Sequence, residues 1–254
     1  VKQFVYEQDL DKSSFVEFDT CIHLASYGVK YTDKNISLIT DINIKLACKI
    51  LQFCANNGCN LFLTAGSGFE YGQQAEVRIP ETASVNPEDV YAASKVAAET
   101  MLSVLAPQLG VKFLICRPFS VYGKYEPAHR LLPLIYATAE SGKTLDMTAG
   151  MQKRDYLYVK DVVNGFYEAA VNNGNFASGE AINICSGEEC CLKDFIYAIV
   201  DANGFDRKLF NLGAVDYRKN ESMYFVGDNT KLLMTTGWRQ MYPFEKAIKD
   251  YNQK

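Results

Sequence analysis

Short apolar runs alternate with longer amphipathic stretches through the first half of the chain. The apolar runs predict buried strands at residues 4–6, 20–24, 61–64 and 111–117. The longer stretches predict helices at residues 41–56, from 91 to near 107, and at 131–141. Because strands that alternate with helices form parallel sheets, the pattern predicts an α/β fold with a doubly wound parallel sheet.

The second half of the chain is less regular. A strand is predicted at residues 154–159, followed by helices at 162–172 and 192–203. No internal repeat or long linker interrupts this part. We therefore expect a main-sheet domain at residues 1–123 and a smaller lobe at 124–254, part of which returns to the main sheet.

Composition and charge exclude several classes of function. The 254 residues are 48% hydrophobic and carry a net charge of −4 without a basic stripe, so we expect a soluble protein that does not bind nucleic acid. No apolar stretch approaches the roughly 18 residues of a membrane span. The eight cysteines lack the spacing of zinc ligands, and His23 and His129 do not complete a metal set. We expect a reduced, cytoplasmic protein without a metal site.

The chemistry of the chain is concentrated near Tyr91 and Lys95. These residues are four apart on a predicted helix and therefore lie on one face of it. An ammonium beside a phenol favours the phenolate, so we expect Lys95 to lower the pKa of Tyr91 and to make it a proton donor or acceptor. Ser67 follows the strand at residues 61–64 and could hold a substrate oxygen. The trio suits the interconversion of an alcohol and a ketone.

The Tyr-x-x-x-Lys spacing is weak evidence by itself because it also occurs at Tyr156/Lys160 and Tyr242/Lys246. The first of these pairs lies on a predicted strand, where residues four apart are separated by roughly 13 Å. The second has a proline after its tyrosine and predicts a surface turn that leads into a helix. We interpret both as ordinary packing.

Dinucleotide-binding folds normally begin with a strand, a glycine-rich turn and a helix. We find no such unit before the strand at residues 4–6 and expect a βαβ unit of about 30 residues to be missing from this sequence. Gly66, Gly68 and Gly72 resemble a glycine loop but have the wrong spacing. We interpret them as a turn that opens no helix.

With these residues in place, the chain resembles the extended short-chain dehydrogenase/reductase family, and within it the NAD-dependent epimerase/dehydratase group that acts on nucleotide-sugars. Residues 117–123 are similar to the family segment Arg-Pro-Phe-Asn-Val-Tyr-Gly, with Ser120 in place of asparagine. Residues 154–159 are similar to Arg-Asp-Phe-Val-Tyr-Val. Residues 19–25 resemble the strand beside the cofactor's ribose.

The resemblance implies a Rossmann-like sheet, truncated at its N-terminus, with a small interleaved C-terminal substrate lobe. It implies the catalytic trio Ser67, Tyr91 and Lys95. The implied NAD or NADP contacts are Asp9, Leu10, Leu24, Ala25, Ser26, Asn43, Tyr91, Lys95, Arg117 and Pro118. The implied substrate contacts are Ser67, Gly68, Phe69, Ser120, Arg130, Leu131, Arg154, Arg218 and Glu221. For Arg117, a structural role fits its position at the end of a strand at least as well as a cofactor contact does.

The resemblance leaves three reactions to compare: dehydration, reduction and epimerisation of the sugar. Dehydratases carry Asp-Glu directly after the catalytic hydroxyl residue, whereas Gly68 and Phe69 follow Ser67 and cannot move a proton. The C-terminal stretch is similar to that of reductases making dideoxy or 6-deoxy sugars such as abequose. We therefore favour NAD(P)-dependent reduction of a nucleotide-linked 4-keto-6-deoxyhexose. A 4-epimerase is the first alternative, and a truncated, catalytically impaired sugar-nucleotide-binding protein is the second.

A homodimer is also implied by the resemblance, through the helices that contain Asp41 and Tyr91. Leu102 and Leu105 on the second helix are compatible with an interface and equally with the core.

Overall fold

A computed structural model describes residues 18–30, 32–219 and 221–253. The predicted strand at residues 4–6 and the predicted cofactor contacts Asp9 and Leu10 lie outside these described ranges.

Eleven strands are present within the described residues. In chain order they are β1 (Thr20–His23), β2 (Leu61–Ala65), β3 (Lys112–Pro118), β4 (Ser120–Tyr122), β5 (Leu145–Met147), β6 (Lys153–Arg154), β7 (Tyr156–Tyr158), β8 (Glu180–Ile184), β9 (Cys190–Cys191), β10 (Phe210–Leu212) and β11 (Tyr224–Phe225).

Eight α-helices accompany them in the same described part of the chain. They are α1 (Ile36–Thr40), α2 (Ala47–Asn56), α3 (Val90–Gln108), α4 (Leu131–Ser141), α5 (Val159–Val171), α6 (Leu192–Ala202), α7 (Thr230–Thr236) and α8 (Phe244–Asn252).

The main sheet has the strand order β1-β2-β3-β8. β1 pairs in parallel with β2, and β2 pairs in parallel with β3. Helices connect these strands because a parallel pair needs a long crossover, and α2 and α3 supply two of the crossovers. β2 is buried along almost its whole length, as its apolar sequence predicts. The predicted parallel α/β sheet is confirmed.

Tertiary contacts divide the chain into two units. The first comprises the described residues of Val1–Gly72 together with Thr82–Arg117 and Glu168–Ile182. The second comprises Gln73–Glu81 and Pro118–Tyr167 together with the described residues of Asn183–Lys254. The division at residue 123 stays a prediction.

Each unit has its own apolar core. In the first unit, α2, α3 and the strands β2 and β3 bury Leu51, Phe62, Leu102 and Phe113 completely. Leu105 is partly buried against the same cluster. Leu102 is therefore a core residue, which excludes it from an interface. In the second unit, α4, α6 and α8 pack around a separate cluster with several aromatic rings.

Several predicted boundaries differ from the observed ones. The helix predicted at residues 41–56 begins earlier, at α1, and its central residues Asp41–Leu46 form a π-helical turn. The strand predicted at residues 154–159 is interrupted after Arg154 and ends at Tyr158, because Val159 begins α5. Lys160 is therefore helical, and the strand spacing assumed for Tyr156/Lys160 is wrong. Short strands such as β5 and β10 were not predicted.

Candidate active site

Ser67 lies two residues beyond the carboxyl end of β2 and caps a short helical turn. Its hydroxyl oxygen accepts a hydrogen bond from the Phe69 N–H at 3.2 Å, while its own N–H donates to Glu70 Oε1 at 2.6 Å. This reciprocal capping box satisfies two N–H groups at the start of a helix. The turn Gly68–Tyr71 is a 3₁₀-helix, so the prediction that the glycine cluster at residues 66, 68 and 72 opens no helix is wrong.

Tyr91 and Lys95 lie on the first turns of α3, which begins after the N-cap Asp89. The Asp89 carboxylate accepts from the Ala92 N–H at 2.7 Å and fixes the start of this helix. The Lys95 Nζ lies 5.8 Å from the centre of the Tyr91 ring and donates to the Ala65 carbonyl at 2.9 Å. Lys95 therefore links the tyrosine helix to the end of the strand that leads to Ser67.

The Lys95 ammonium is nearly buried. Burial lowers its pKa, while the nearby Glu70 and Glu99 carboxyl groups oppose this shift. His23, at the end of β1, stacks on Phe62 with ring centres 5.8 Å apart. Burial, with a smaller contribution from Lys95, lowers the pKa of His23 to about 4, so its imidazole is neutral at pH 7.

Sequence reasoning missed a buried ionic cluster beside Ser67. Arg117 Nε donates to Glu70 Oε2 and Arg117 Nη2 donates to Glu99 Oε2, both at 2.6 Å. The guanidinium also lies 4.8 Å from the centre of the Tyr71 ring. Burial, followed by the neighbouring Glu99 carboxyl group, raises the pKa of Glu70 to about 9. These contacts support the structural role of Arg117, and its contact with a cofactor stays a prediction.

Asn43 supports the tyrosine helix from the π-helical turn. Its amide donates to the Tyr27 carbonyl at 2.9 Å and to Ser94 Oγ at 2.8 Å, and its carbonyl accepts from the Tyr27 N–H. Ser94 in turn donates to the Tyr91 carbonyl at 2.7 Å. Isolated π-helical turns occur often at functional sites. Asn43 thus connects the loop after β1 to the backbone of the candidate catalytic tyrosine.

The predicted cofactor contacts Leu24, Ala25 and Ser26 directly follow the carboxyl end of β1. Open parallel sheets bind ligands at this edge. The Ser26 Oγ is buried without a hydrogen-bond partner, and Gly28 lets the chain turn with a φ of +93°. A buried hydroxyl without a partner fits a site that a polar ligand completes, so these residues are compatible with a dinucleotide.

The second unit contains most of the predicted substrate contacts. Arg154 donates to Glu221 Oε1 at 2.6 Å, and burial lowers its pKa against the opposing effect of Glu221. The structure thus pairs two residues that were predicted separately. Arg130 lies 3.7 Å from Glu126 at the start of α4, where Leu131 is the first helical residue.

The remaining predicted contacts have diverse environments. Ser120 begins β4 and pairs with Tyr156, Pro118 ends β3, and Arg218 is exposed. In the first unit, Gly68 is buried and Phe69 is 53% exposed. The roles of these residues stay predictions.

The other two Tyr-x-x-x-Lys pairs are not built like the first. The Tyr242 ring lies 4.3 Å from Lys246 Nζ and 5.2 Å from Lys160 Nζ. Lys160 also binds the Asp250 carboxylate at 2.5 Å. Unlike Lys95, neither Lys160 nor Lys246 is buried, and the hydrogen bonds of both lie at the exposed surface.

Two further features concern the described residues as a whole. No group of three or more His, Cys, Asp or Glu side chains among them could hold a metal ion. No helix in this part of the chain combines the length and the apolar character that a membrane span requires. All eight cysteines are free.

Comparisons with known proteins give consistent matches. The NAD dependent epimerase/dehydratase family matches residues 7–185. GDP-6-deoxy-D-mannose reductase of Pseudomonas aeruginosa is 27% identical over 91% of this chain and 78% of its own length. CDP-abequose synthase of Salmonella typhimurium is 26% identical over 90% of this chain and 74% of its own. The structure of RMD from Pseudomonas aeruginosa complexed with NADPH superposes with a TM-score of 0.80 at 25% identity, covering 91% of this chain and 79% of that one.

Proposed function

We propose that this chain, which belongs to the NAD dependent epimerase/dehydratase family, reduces the 4-keto group of a nucleotide-activated 6-deoxyhexose. The observation that carries the proposal is the attachment of Lys95 to the end of β2, beside Tyr91 and two residues before Ser67. A hydroxyl, a phenol and an ammonium that converge in this way are suited to protonating a ketone oxygen as it becomes an alcohol. The NAD(P) dependence predicted from the sequence agrees with the family.

Each member of the trio has a distinct task in this proposal. Tyr91 gives its phenolic proton to the substrate oxygen. Ser67 donates its hydroxyl proton to the same oxygen, because its oxygen already accepts from the Phe69 N–H and a hydroxyl retains one proton to donate. Lys95 stabilises the phenolate that remains on Tyr91.

The cofactor is NAD or NADP, which supplies the hydride when it is bound. Leu24, Ala25 and Ser26 would hold it at the end of β1, together with Asn43, Tyr91 and Lys95. The buried, unpartnered hydroxyl of Ser26 supports this assignment.

The nucleotide-sugar is proposed to be recognised by Arg154 and Arg218, because a guanidinium fork suits the oxygens of a diphosphate. Glu221 holds the Arg154 guanidinium in one orientation through their ion pair. Ser67, Gly68, Phe69, Ser120, Arg130 and Leu131 complete the proposed substrate contacts. The names of the two relatives support a sugar linked to GDP or CDP, and the name of the first, a GDP-6-deoxy-D-mannose reductase, supports a 6-deoxy sugar.

Dehydration is disfavoured because it needs a carboxyl group that can reach the substrate. Gly68 and Phe69 follow Ser67, and the first carboxyl group after them, Glu70, is completely buried. Both Glu70 oxygens accept N–H donors from Ser67 and Arg117. Glu70 is therefore a structural partner of Ser67 and does not act as an acid or base on the sugar.

The experiment that tests the proposal measures the stoichiometry of the cofactor. The chain is incubated with NADH or NADPH and with GDP- or CDP-linked 4-keto-6-deoxyhexose. A reductase oxidises one reduced cofactor for each alcohol formed. A 4-epimerase would instead interconvert nucleotide-hexoses without net change in the cofactor. If the chain binds nucleotide-sugar but catalyses neither reaction, the result would favour the remaining alternative, an impaired sugar-nucleotide-binding protein.

We also propose a homodimer in a reduced, cytoplasmic compartment. Val90, Met101 and Val104 are exposed on α3 and support an interface on that helix. The free cysteines agree with a reducing environment. Analytical ultracentrifugation of the chain and of Val104→Glu tests the interface, since a charge at a buried contact favours the monomer.

A further inference from the structure

Two buried carboxyl groups lie directly behind the candidate catalytic serine. Glu70 follows Ser67 on its helical turn, and Glu99 lies one turn beyond Lys95 on α3. Glu70 is 0% exposed, Glu99 is 6% exposed, and Arg117 at the end of β3 joins them through two 2.6 Å ion pairs. The cluster therefore connects the Ser67 turn and α3, which carry the trio, to the end of β3.

The two carboxyl groups share a single contacting cation, Arg117. If both were ionised, the three groups in direct contact would carry a net charge of −1. A buried, unbalanced charge is costly, and two carboxyl groups that share a site avoid it by retaining a proton. Lys95 is the next cation and its charge acts on both carboxyl groups, but its ammonium donates to the neutral Ala65 carbonyl and forms no ion pair with either of them. The raised pKa of Glu70 has the same cause, burial together with its neighbour Glu99.

The hydrogen-bond pattern indicates which oxygen carries this proton. Glu70 Oε1 accepts from the Ser67 N–H and Glu70 Oε2 accepts from Arg117 Nε, so both oxygens serve as acceptors. Glu99 Oε2 accepts from Arg117 Nη2, but Glu99 Oε1 is buried without a partner. Both Oε1 atoms crowd the space beside Gly66, at 2.4 and 2.9 Å from the position that a Cβ would take there. A proton on Glu99 Oε1 would point to Glu70 Oε1 and satisfy the unpartnered atom.

We propose that Glu70 and Glu99 share one proton and that this neutralised pair positions Ser67 for the reaction. The role rests on the proposed ketone reduction. Glu70 fixes the Ser67 backbone by its hydrogen bond, and the shared proton keeps Glu70 in place by removing the repulsion between the carboxyl groups. Glu70 and Glu99 are positioning residues, since neither reaches the substrate.

Loss of the shared proton would weaken this support at alkaline pH. The charged and titratable groups around the pair are Arg117 and Cys116 on β3, Lys95 on α3, and Tyr71 on the turn. The cations among these groups are Arg117, which already pairs with both carboxyl groups, and Lys95, which donates to the neutral Ala65 carbonyl and does not contact them. A second negative charge would therefore repel the first and loosen the Ser67 anchor, so the rate falls as the proton is lost.

Two matched variants separate proton sharing from simple packing. Glu99→Gln places an amide N–H where the proposed proton lies, so it can donate to Glu70 while its carbonyl accepts from Arg117. Glu70→Gln cannot serve both the Ser67 N–H and Arg117 Nε, because one of them would face an N–H₂ group. We expect Glu70→Gln to lower kcat by about tenfold or more, through misplacement of Ser67, and to change KM little. We expect Glu99→Gln to lower kcat much less and to lose the alkaline decline.

Infrared spectroscopy tests the proton itself without any turnover. The wild-type chain should show the carbonyl band of a protonated carboxyl group at pH 7.5, and Glu99→Gln should lack it. Absence of this band in the wild type would overturn proton sharing, even if the reductase activity is found. Equal loss of kcat in both variants would overturn the positioning role. Failure of all 4-keto sugars to react would refute the proposed reduction and its dependent positioning role, while the band would still decide the shared proton.

Discussion

Replacing Gly66 with alanine tests how tightly the carboxyl pair is packed behind Ser67. The added Cβ would lie 2.4 Å from Glu99 Oε1, 2.9 Å from Glu70 Oε1 and 3.0 Å from Arg117 Cγ. Carboxylate oxygens usually move cheaply, but these belong to buried side chains that Arg117 cross-links. The cluster therefore has to give up an ion pair or shift the segments that hold it.

The expected cost combines two effects. Overpacking of a tight core costs about 1–3 kcal/mol, and weakening one hydrogen bond between charged groups costs about 1.5–3 kcal/mol. The smaller conformational entropy of alanine in the unfolded chain returns about 0.4–1 kcal/mol. We therefore expect Gly66→Ala to lower the free energy of unfolding by about 2–5 kcal/mol.

Denaturant unfolding of Gly66→Ala and of Gly174→Ala provides the comparison. Gly174 lies in the same unit, and a Cβ there would meet nothing within 4 Å. Gly174→Ala should change the free energy of unfolding by about 1 kcal/mol or less. A cost of Gly66→Ala no larger than that of Gly174→Ala would refute the tight packing of Glu70 and Glu99.

Two further predictions concern pH and a second buried carboxylate. Burial, followed by the neighbouring Glu99, raises the pKa of Glu70 from 4.5 to about 9, so the folded carboxyl pair holds one proton more than the unfolded chain and stability is lost as pH rises towards 9. Between pH 6.5 and 8, the free energy of unfolding should fall with rising pH more steeply in the wild type than in Glu99→Gln, by up to about 1.4 kcal/mol per pH unit. Parallel plots of unfolding free energy against pH for the two chains would contradict this. In the second unit, Asp155 accepts hydrogen bonds from Ser186, Gly187 and Gly227, and Asp155→Asn should cost about 3 kcal/mol in denaturant unfolding. The control variant Asp146→Asn, at an exposed position, should lower the free energy of unfolding little. A similar loss in both variants would show that the hydrogen bonds of Asp155 do not anchor the second unit.

The parallel sheet and the tyrosine helix could be predicted because their signals are local. A short apolar run identifies β2, and the i, i+4 spacing places Tyr91 and Lys95 on one face of α3. The environment of the lysine distinguishes this pair from Tyr242/Lys246. That environment depends on Ala65, which lies 30 residues away.

The carboxyl pair could not be predicted because its members meet only in the folded chain. Glu70, Glu99 and Arg117 lie on three different segments, and single charged residues are normally expected at the surface. The π-helical turn around Asn43 was missed for a different reason, since its apolar pattern resembles that of an ordinary helix. Strands of two or three residues, such as β6 and β10, are too short to show a period.

The proton transfer from Tyr91 is the central claim, and Tyr91→Phe tests it most directly. Single-turnover oxidation of NADPH by a nucleotide-linked 4-keto-6-deoxyhexose is compared for the wild type, Tyr91→Phe and the matched control Tyr242→Phe. We expect Tyr91→Phe to lower the rate by about 10²–10⁴-fold with cofactor binding retained, and Tyr242→Phe to keep the wild-type rate. A Tyr91→Phe rate equal to that of the wild type would contradict the proposed mechanism.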